Sequence, residues 1–219
     1  MDFVGLGFGS VCIGVCLVCV DIKRGFGRKS DVRIDKCGWI INICVYFSYI
    51  YTQIQMQNRE AVEVIIEIEK HSNMKWEYDR INDSLFLDRV LQYPYFYPYA
   101  YGFFPNTLGK DGDELDALLL TDRQYLNYNE QKSVVRGYIV GGLMMYDEKG
   151  ADEKIFVVPE NEIDAYLNKS DAEKTLMIDN IIWFFTNYKK NDAGKWSRVE
   201  SVLSCKDAID TYKNALLSA

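Results

Sequence analysis

The residues best suited to chemistry are four carboxylates crowded into the sequence DGDELD: Asp111, Asp113, Glu114 and Asp116. Like charges this close repel one another, so the pattern is stable only where water or a cation screens it. A calcium-binding EF-hand loop is excluded, because it needs an oxygen ligand at its fifth position and glycine at its sixth. Leu115 and Asp116 stand there instead. A solvated acidic loop and a metal site are the two interpretations that remain.

A second acidic cluster lies in the sequence MMYDEKGADEKIFVVP and comprises Asp147, Glu148, Asp152 and Glu153. Lys154 follows it directly, and apolar segments with strand character stand on both sides. Two such clusters beside strands indicate carboxylates gathered at the end of a sheet. Hard oxygen ligands of this kind suit Mg²⁺ or Mn²⁺. Two solvated turns are the alternative.

Basic and phenolic side chains accompany these acids. A lysine or arginine stands near an element boundary in each of four segments: KWEYD, FLDRVL, DEK and NYKK. Carboxylates together with lysine, arginine and tyrosine hydroxyls are what phosphoryl hydrolysis requires, because metals activate water while cations bind phosphate oxygens. Tyr101 and Tyr188 could instead pack in the core, and Lys189 with Lys190 could be an ordinary charged helix end.

Composition narrows the function classes further. The 219-residue chain is 48% hydrophobic, which is enough for one core of ordinary domain size. Its formal net charge of −7 argues against a nucleic-acid-binding protein, since such proteins are usually basic. The single histidine, His71, stands in a polar stretch and is predicted to lie on the surface. One histidine argues against Ser-His-Asp and Cys-His catalysis and against histidine-rich zinc sites.

The elements that must position these residues are strands first and helices later. In VEVIIEIEK, apolar residues alternate with mostly acidic ones, and LFLDRVL, SVVRGYIVGGLMMY and EKIFVVP are further strand candidates. Ser170 and Glu173 fit a helix capping box, with Gly194 as a stop, and a closing helix is predicted over roughly 206–217. This order predicts an α+β domain built on a small barrel or curved sheet.

The N-terminal residues 1–55 differ from the rest. Residues 3–20 carry no charge and are about long enough to cross a bilayer, but the preceding Asp2 is wrong for a secretory signal. Three interpretations remain open: a membrane anchor or signal, an organelle-targeting extension, or a misplaced start codon with the true start at Met56. Five of the six cysteines lie in this part, so residues 56–219 are predicted to work in a reducing compartment.

From about Val62 to the C-terminus the sequence resembles a family I soluble inorganic pyrophosphatase. The resemblance rests on motifs in this order: EIEK, KWEYD, FLDRVL, YPYAYGFFPNTL, DGDELD, DEKGADEK, FFTNYKK and GKW. The family signature is D-x-D-P/E-x-D followed by small apolar residues, and DGDELDA fits its glutamate form. Glu69 stands where the family commonly has proline, and residues 1–55 match nothing in the family.

The resemblance implies a role for each matching residue. Metal ligands would be Asp111, Asp116, Asp147, Asp152 and Glu77. Phosphate ligands would be Lys75, Arg89, Tyr101, Lys154, Tyr188 and Lys189. Further polar positions of the cleft would be Glu67, Glu148 and Lys195. Asp113 would be the general base that takes a proton from water held between two activating metals.

The implied fold is α+β and mainly β: a five-stranded OB-like β-barrel flanked by two α-helices, with an N-terminal extension of unknown structure. The implied function is Mg²⁺-dependent hydrolysis of inorganic pyrophosphate to two orthophosphates by direct in-line attack of water, with Mn²⁺ as a possible substitute. The alternatives are a catalytically silent scaffold for interactions and a metal-dependent hydrolase of polyphosphate or nucleotides. A cytoplasmic homo-oligomer, hexamer or dimer, is expected, with membrane contact only through residues 1–55.

Overall fold

The structure, a computed structural model, describes residues 60–126 and 132–217. The predicted extension over residues 1–55, its apolar segment and its boundary at Met56 lie outside the described residues. Within the described ranges, no helix is both long enough and apolar enough to cross a membrane.

Nine strands are described, in chain order: β1 (Val62–Ile68), β2 (Met74–Asp79), β3 (Ser84–Val90), β4 (Ala100–Phe103), β5 (Asp116–Leu119), β6 (Ser133–Asp147), β7 (Gly150–Ala151), β8 (Lys154–Pro159) and β9 (Ser197–Leu203). Seven of them form one sheet, while β2 and β3 form a separate two-stranded sheet. The four stretches predicted to be strands from their patterns coincide with β1, β3, β6 and β8.

The pairings of five strands close on themselves. They run from β1 through β4, β5, β8 and β6, and β6 pairs again with β1. Two glycines permit the close approaches of this arrangement. A Cβ at Gly102 would lie 1.8 Å from the Ile65 carbonyl oxygen, and one at Gly137 would lie 2.4 Å from the Val158 carbonyl oxygen. Any side chain at either position would push two paired strands apart.

Three helices are described: α1 (Ile163–Leu167), α2 (Asp171–Asn187) and α3 (Cys205–Ala215). The capping box at the start of α2 is confirmed, since Ser170 and Glu173 each accept from the other's backbone N–H. α2 ends at Asn187, before the predicted stop at Gly194, because the following residues fold into consecutive turns. The closing helix is confirmed, with Ser204 as its cap.

The described chain is therefore mostly β with three helices, one more than the two predicted. The additional helix, α1, spans only five residues and has no capping side chain, so the sequence carries little signal for it. Both faces of β5 and β8 are buried. One face joins a cluster that includes Ala208 of α3, and the other packs against Ile181, Phe184 and Phe185 of α2. The strand ends between these two layers carry the site.

Candidate active site

All of the side chains predicted for the site line one cleft of about 460 Å³. Its lining includes ten carboxylates and seven bases. The predicted set is Glu67, Lys75, Glu77, Arg89, Tyr101, Asp111, Asp113, Asp116, Asp147, Glu148, Asp152, Lys154, Tyr188, Lys189 and Lys195. The fold thus brings together residues that are up to 128 positions apart in the sequence, as Glu67 and Lys195 are. The role of each residue remains a prediction.

Strand pairing places the central residues side by side. In the parallel β5–β8 pair, Asp116 stands opposite Lys154. In the β2–β3 hairpin, Lys75 stands opposite Arg89. Asp147 ends β6, so the second acidic cluster follows directly from the longest strand of the sheet. The register of the sheet is therefore what gathers acids and bases at one edge.

The loop that carries the first acidic cluster is held by its own backbone. The N–H of Gly109 donates to the Asp113 carbonyl at 2.7 Å, and the N–H of Asp113 donates to Oδ1 of Asp111 at 3.2 Å. Gly112 has a φ of 93°, in the left-handed region that favours glycine. These contacts turn the Asp113 side chain outward, where 66% of it is exposed and Lys149 Nζ lies 2.9 Å from Oδ2.

Lys154 forms the buried centre of the cleft. Only 3% of its side chain is exposed, and its ammonium contacts the carboxylates of both Asp116 and Asp152. Burial opposes its charge, but the two carboxylates outweigh burial and raise the pKa of Lys154. Burial also raises the pKa of Asp116 to about 6, even though Lys154 and a hydrogen bond from Tyr101 act in the opposite direction. Burial therefore costs this carboxylate more than its contacts with Lys154 and Tyr101 recover.

A second buried lysine pairs with the other acidic cluster. Lys189 Nζ lies 2.7 Å from Oδ2 of Asp147 and 3.1 Å from Oε2 of Glu148. Burial alone would raise the pKa of Asp147, but the bonds from Lys189 and from the Lys149 N–H outweigh it and lower the pKa. Asp147 is thus an anion at neutral pH, ready to accept a cation.

Glu67 is the most perturbed acid. It is 9% exposed, and its Oε1 accepts the N–H of Tyr78 at 2.8 Å. Burial, and secondly the charge of Asp116, raise its pKa to about 8. A carboxyl group buried beside another carboxylate in this way keeps its proton at neutral pH unless further positive charge is supplied.

Tyr101 and Tyr188 both pack in the core and also line the cleft. Tyr101 is 8% exposed and Tyr188 is 7% exposed, and both rings belong to the cluster around α2. Burial is the first cause that raises the pKa of each phenol. A phenol is protonated at neutral pH even at its ordinary pKa, and burial only strengthens this, so each carries an O–H at the cleft. His71 is exposed, as predicted.

Glu114, the fourth acid of DGDELD, also lines the cleft but has no predicted role, and seven further lining residues were not predicted: Tyr78, Arg80, Asp88, Tyr97, Phe103, Lys149 and Phe185. Asp88 Oδ2 lies 3.3 Å from Lys75 Nζ and 3.3 Å from Arg89 Nη1, so it joins two predicted phosphate ligands. Asp88 lies within FLDRVL, in which Arg89 is the predicted site residue. Lys149 and Arg80 stand in turns, and no periodicity or spacing marks them.

The donor chemistry of the cleft fits a hard divalent cation. None of the described residues that line it is a histidine or cysteine, so its ligands are oxygen atoms. Within residues 60–126 and 132–217, no three acids have already converged as a metal cage. Lysine ammoniums lie between the carboxylates instead, which shows that the same oxygens accept positive charge.

Known proteins with similar sequences and folds share one description. A family model described as inorganic pyrophosphatase matches residues 64–218. The inorganic pyrophosphatase of Helicobacter pylori strain 26695 is 41% identical over 160 residues, covering 72% of this chain and 90% of that protein. The one from Pseudomonas aeruginosa is 42% identical over 144 residues, covering 64% and 79%.

Solved structures agree with the sequence relatives. The inorganic pyrophosphatase structure from Helicobacter pylori matches with a TM-score of 0.65 and 40% identity, covering 72% of this chain and 92% of that one. The structure from Thermus thermophilus also matches with a TM-score of 0.65, at 35% identity, covering 72% and 90%.

Proposed function

Because the chain belongs to the inorganic pyrophosphatase family, we propose that its cleft hydrolyses inorganic pyrophosphate to two orthophosphates. The observation that supports this proposal most directly is that ten carboxylates and seven bases line one cleft. Carboxylates alone would repel a phosphate anion, and bases alone would bind it without activating water. Both together, with divalent cations between them, suit a substrate that is anionic and must be attacked by water.

The family is metal-dependent, and we assign Mg²⁺ as the metal, with Mn²⁺ as a substitute. The proposed ligands are Asp111, Asp116, Asp147, Asp152 and Glu77. Divalent cations held there would screen the phosphate charge and lower the pKa of bound water. The raised pKa values of Asp116 and Glu67 support this assignment, because divalent cations would offset the cost of burying these carboxylates as anions.

Asp113 is the proposed general base. It stands on the same turn as the proposed ligand Asp111, but its side chain is exposed at the cleft and its Oδ2 contacts only an exposed lysine, Lys149. A carboxylate that is accessible and weakly paired can accept a proton from water, whereas the buried Asp152 cannot move from its lysine without cost.

Lysines, an arginine and two tyrosines are the proposed phosphate ligands: Lys75, Arg89, Tyr101, Lys154, Tyr188 and Lys189. Ammonium and guanidinium groups neutralise the charge that develops on the leaving phosphate during in-line attack. The phenols of Tyr101 and Tyr188 add neutral O–H donors, because a tyrosine is protonated at neutral pH and burial raises the pKa of both further. Glu67, Glu148 and Lys195 complete the polar lining.

Finer features of the molecule also belong to this proposal. The closed cycle of β1, β4, β5, β8 and β6 supports a five-stranded OB-like barrel. We propose residues 56–219 as the catalytic domain, with residues 1–55 as a separate extension, and a cytoplasmic homo-oligomer, either hexamer or dimer, as the working form. The charge of −7 supports a small anionic substrate bound through metals over a nucleic-acid ligand.

The experiment that tests the substrate is release of orthophosphate by the full chain from pyrophosphate, tripolyphosphate and ATP. Each is measured with Mg²⁺, with Mn²⁺ and with EDTA. We expect fast Mg²⁺-dependent release from pyrophosphate and slow release from the other two. Preferential cleavage of ATP or tripolyphosphate would favour the broader hydrolase, and no release from folded protein would favour the silent scaffold.

A further inference from the structure

The loop between α2 and β9 holds an acidic residue, Asp192, that is absent from the set of predicted site residues. Backbone hydrogen bonds join Asp192 to a cleft residue on each side of it in the sequence. Its N–H donates to the Lys189 carbonyl at 3.0 Å, and its own carbonyl accepts the N–H of Lys195 at 3.1 Å. Both lysines line the cleft. The place of Asp192 in the loop is therefore fixed by the two residues whose side chains the cleft uses.

The side chain of Asp192 reaches across to a different element. Its Oδ2 lies 3.7 Å from Nε of Arg89, which stands on β3. Both atoms are buried, and neither has a hydrogen-bond partner among the described residues. A distance of 3.7 Å is longer than an N–H···O bond, which spans about 2.7–3.2 Å. A small approach would therefore satisfy both buried atoms at once.

Arg89 is held from its other side as well. Its Nη1 lies 3.3 Å from Oδ2 of Asp88, the neighbouring residue on β3. Carboxylates at Nε and at Nη1 restrict the plane of the guanidinium, which otherwise loses considerable rotamer freedom when it binds an anion. Of the two, only Asp192 belongs to a different element, so it alone ties Arg89 to the loop with Lys189 and Lys195.

We propose that Asp192 is a positioning residue that orients Arg89 toward the diphosphate and keeps the lysine loop in register with the β2–β3 hairpin. The inference rests on the proposed function, since Arg89 must bind a phosphate oxygen for its orientation to matter. Asp192 does not touch the substrate and acts through Arg89. Its loss therefore weakens diphosphate binding more than it slows the chemical step.

A double-mutant cycle tests this role in the full chain. Asp192→Asn keeps the shape and the backbone bonds but removes the charge that faces Arg89. We expect it to raise KM for pyrophosphate about tenfold and to change kcat much less, in line with the coupling usual between contacting groups. Asp192→Glu keeps a carboxylate and restores most of the affinity. Asp210→Asn is the matched control, because Asp210 pairs with Lys206 on α3 and lies outside the cleft.

The decisive arm repeats Asp192→Asn in the Arg89→Ala background. If Asp192 acts through Arg89, the second substitution there changes KM less than about twofold. Equal effects of Asp192→Asn in both backgrounds would overturn the proposal, as would an unchanged KM in the single variant. If Asp192→Asn does not stay folded at the assay temperature, Asp192→Ser, which also removes the carboxylate, takes its place in the same cycle with the same criterion.

Binding of methylenediphosphonate, a diphosphate that cannot be hydrolysed, separates this inference from the proposed function. Titration calorimetry with Mg²⁺ present should show weaker binding to Asp192→Asn than to the unchanged protein and to Asp210→Asn. An unchanged protein that binds the analogue but releases no phosphate would contradict the proposed hydrolysis while leaving the positioning role measurable. Equal binding by all three proteins would contradict the positioning role.

Discussion

At the scale of single residues, the cleft is organised by cations that stand between carboxylates. Lys154 between Asp116 and Asp152 is the most buried example. Breaking a buried pair by removing one partner is strongly destabilising, because it leaves an uncompensated charge. The same pairs explain how a metal-free cleft tolerates so many acids.

Lys154→Met tests this arrangement. Without metal, we expect the free energy of unfolding to fall by about 2–4 kcal/mol, since Asp116 and Asp152 would then face each other without a cation. Mg²⁺ should recover part of the loss by taking the place of the ammonium charge. Urea unfolding in EDTA and in excess Mg²⁺ measures both effects. A loss of the same size with and without Mg²⁺ would show that the two carboxylates do not hold a metal.

Glu67 gives a prediction about pH. Its pKa is about 8 in the folded chain and 4.5 as the unperturbed value. As pH rises from about 4.5 to 8, the unfolded chain releases this proton before the folded chain does, so the metal-free protein loses stability over that window. Below pH 4.5 both states hold the proton, and the penalty is absent.

Glu67→Gln should therefore stabilise the metal-free protein at pH 8 by on the order of 1–3 kcal/mol and leave it nearly unchanged near pH 4.5. A glutamine oxygen can still accept the Tyr78 N–H. Glu63→Gln is the control, because Glu63 is the one exposed residue of β1, and it should change stability by less than about 0.5 kcal/mol. Equal unfolding free energies for Glu67→Gln and the unchanged protein at pH 8 would contradict the account.

At the scale of elements, sequence patterns predicted only part of the sheet. β1 is predicted because Glu63 and Glu67 alternate with apolar residues, although only Glu63 of its seven residues is exposed. β5, with the sequence DALL, has buried residues on both faces and therefore no alternation. β4 lies in an aromatic run, and all four of its residues are buried. Alternation predicts a strand where polar residues recur at every second position, and strands whose residues are apolar on both faces lack this signal.

Substitutions at two glycines test the described strand pairing and the conformation of the acidic loop. Gly102→Ala places a Cβ against the Ile65 carbonyl, where β1 and β4 pair, so we expect a loss of more than about 3 kcal/mol in unfolding free energy. Gly112→Ala meets no atom within 4 Å but has a φ of 93°, so it should cost only about 1 kcal/mol. Its effect should appear in activity, since its loop carries Asp111 and Asp113. Chemical unfolding and phosphate release, measured together, distinguish the two. The reverse order of stabilities would contradict the described pairing of β1 with β4.

The positions of the predicted site residues depend on sequence motifs more than on periodicity. Motifs in a fixed order predicted fifteen residues that line one cleft, including Glu67 and Lys195, while their roles stay predictions. Asp192 and Lys149 were not found, because an isolated acid or base in a turn is indistinguishable from a solvated one. Their significance arises from distances across elements, such as that from Asp192 to Arg89.

At the scale of the whole molecule, the acidic balance of the chain makes metal binding a stabilising event. The chain carries a formal net charge of −7, and acids outnumber bases in the cleft as well. A ligand that binds only the folded state stabilises it by about 2.7 kcal/mol at a hundred times its dissociation constant.

We expect millimolar Mg²⁺ to raise the melting temperature relative to EDTA, and Asp152→Asn to reduce that rise. An equal rise in Asp152→Asn and in the Asp210→Asn control would place the metal elsewhere.

The most direct test of the central claim is the kcat/KM for pyrophosphate with Mg²⁺, measured for the unchanged full chain, Asp113→Asn and Asp210→Asn. Asp113→Asn removes the proposed base without changing its shape. We predict a fall of about 10²–10⁴-fold for Asp113→Asn, the usual contribution of general base catalysis, and no change for Asp210→Asn. Rapid hydrolysis that survives Asp113→Asn would contradict the assignment of the base, and the absence of hydrolysis by the unchanged chain would contradict the function.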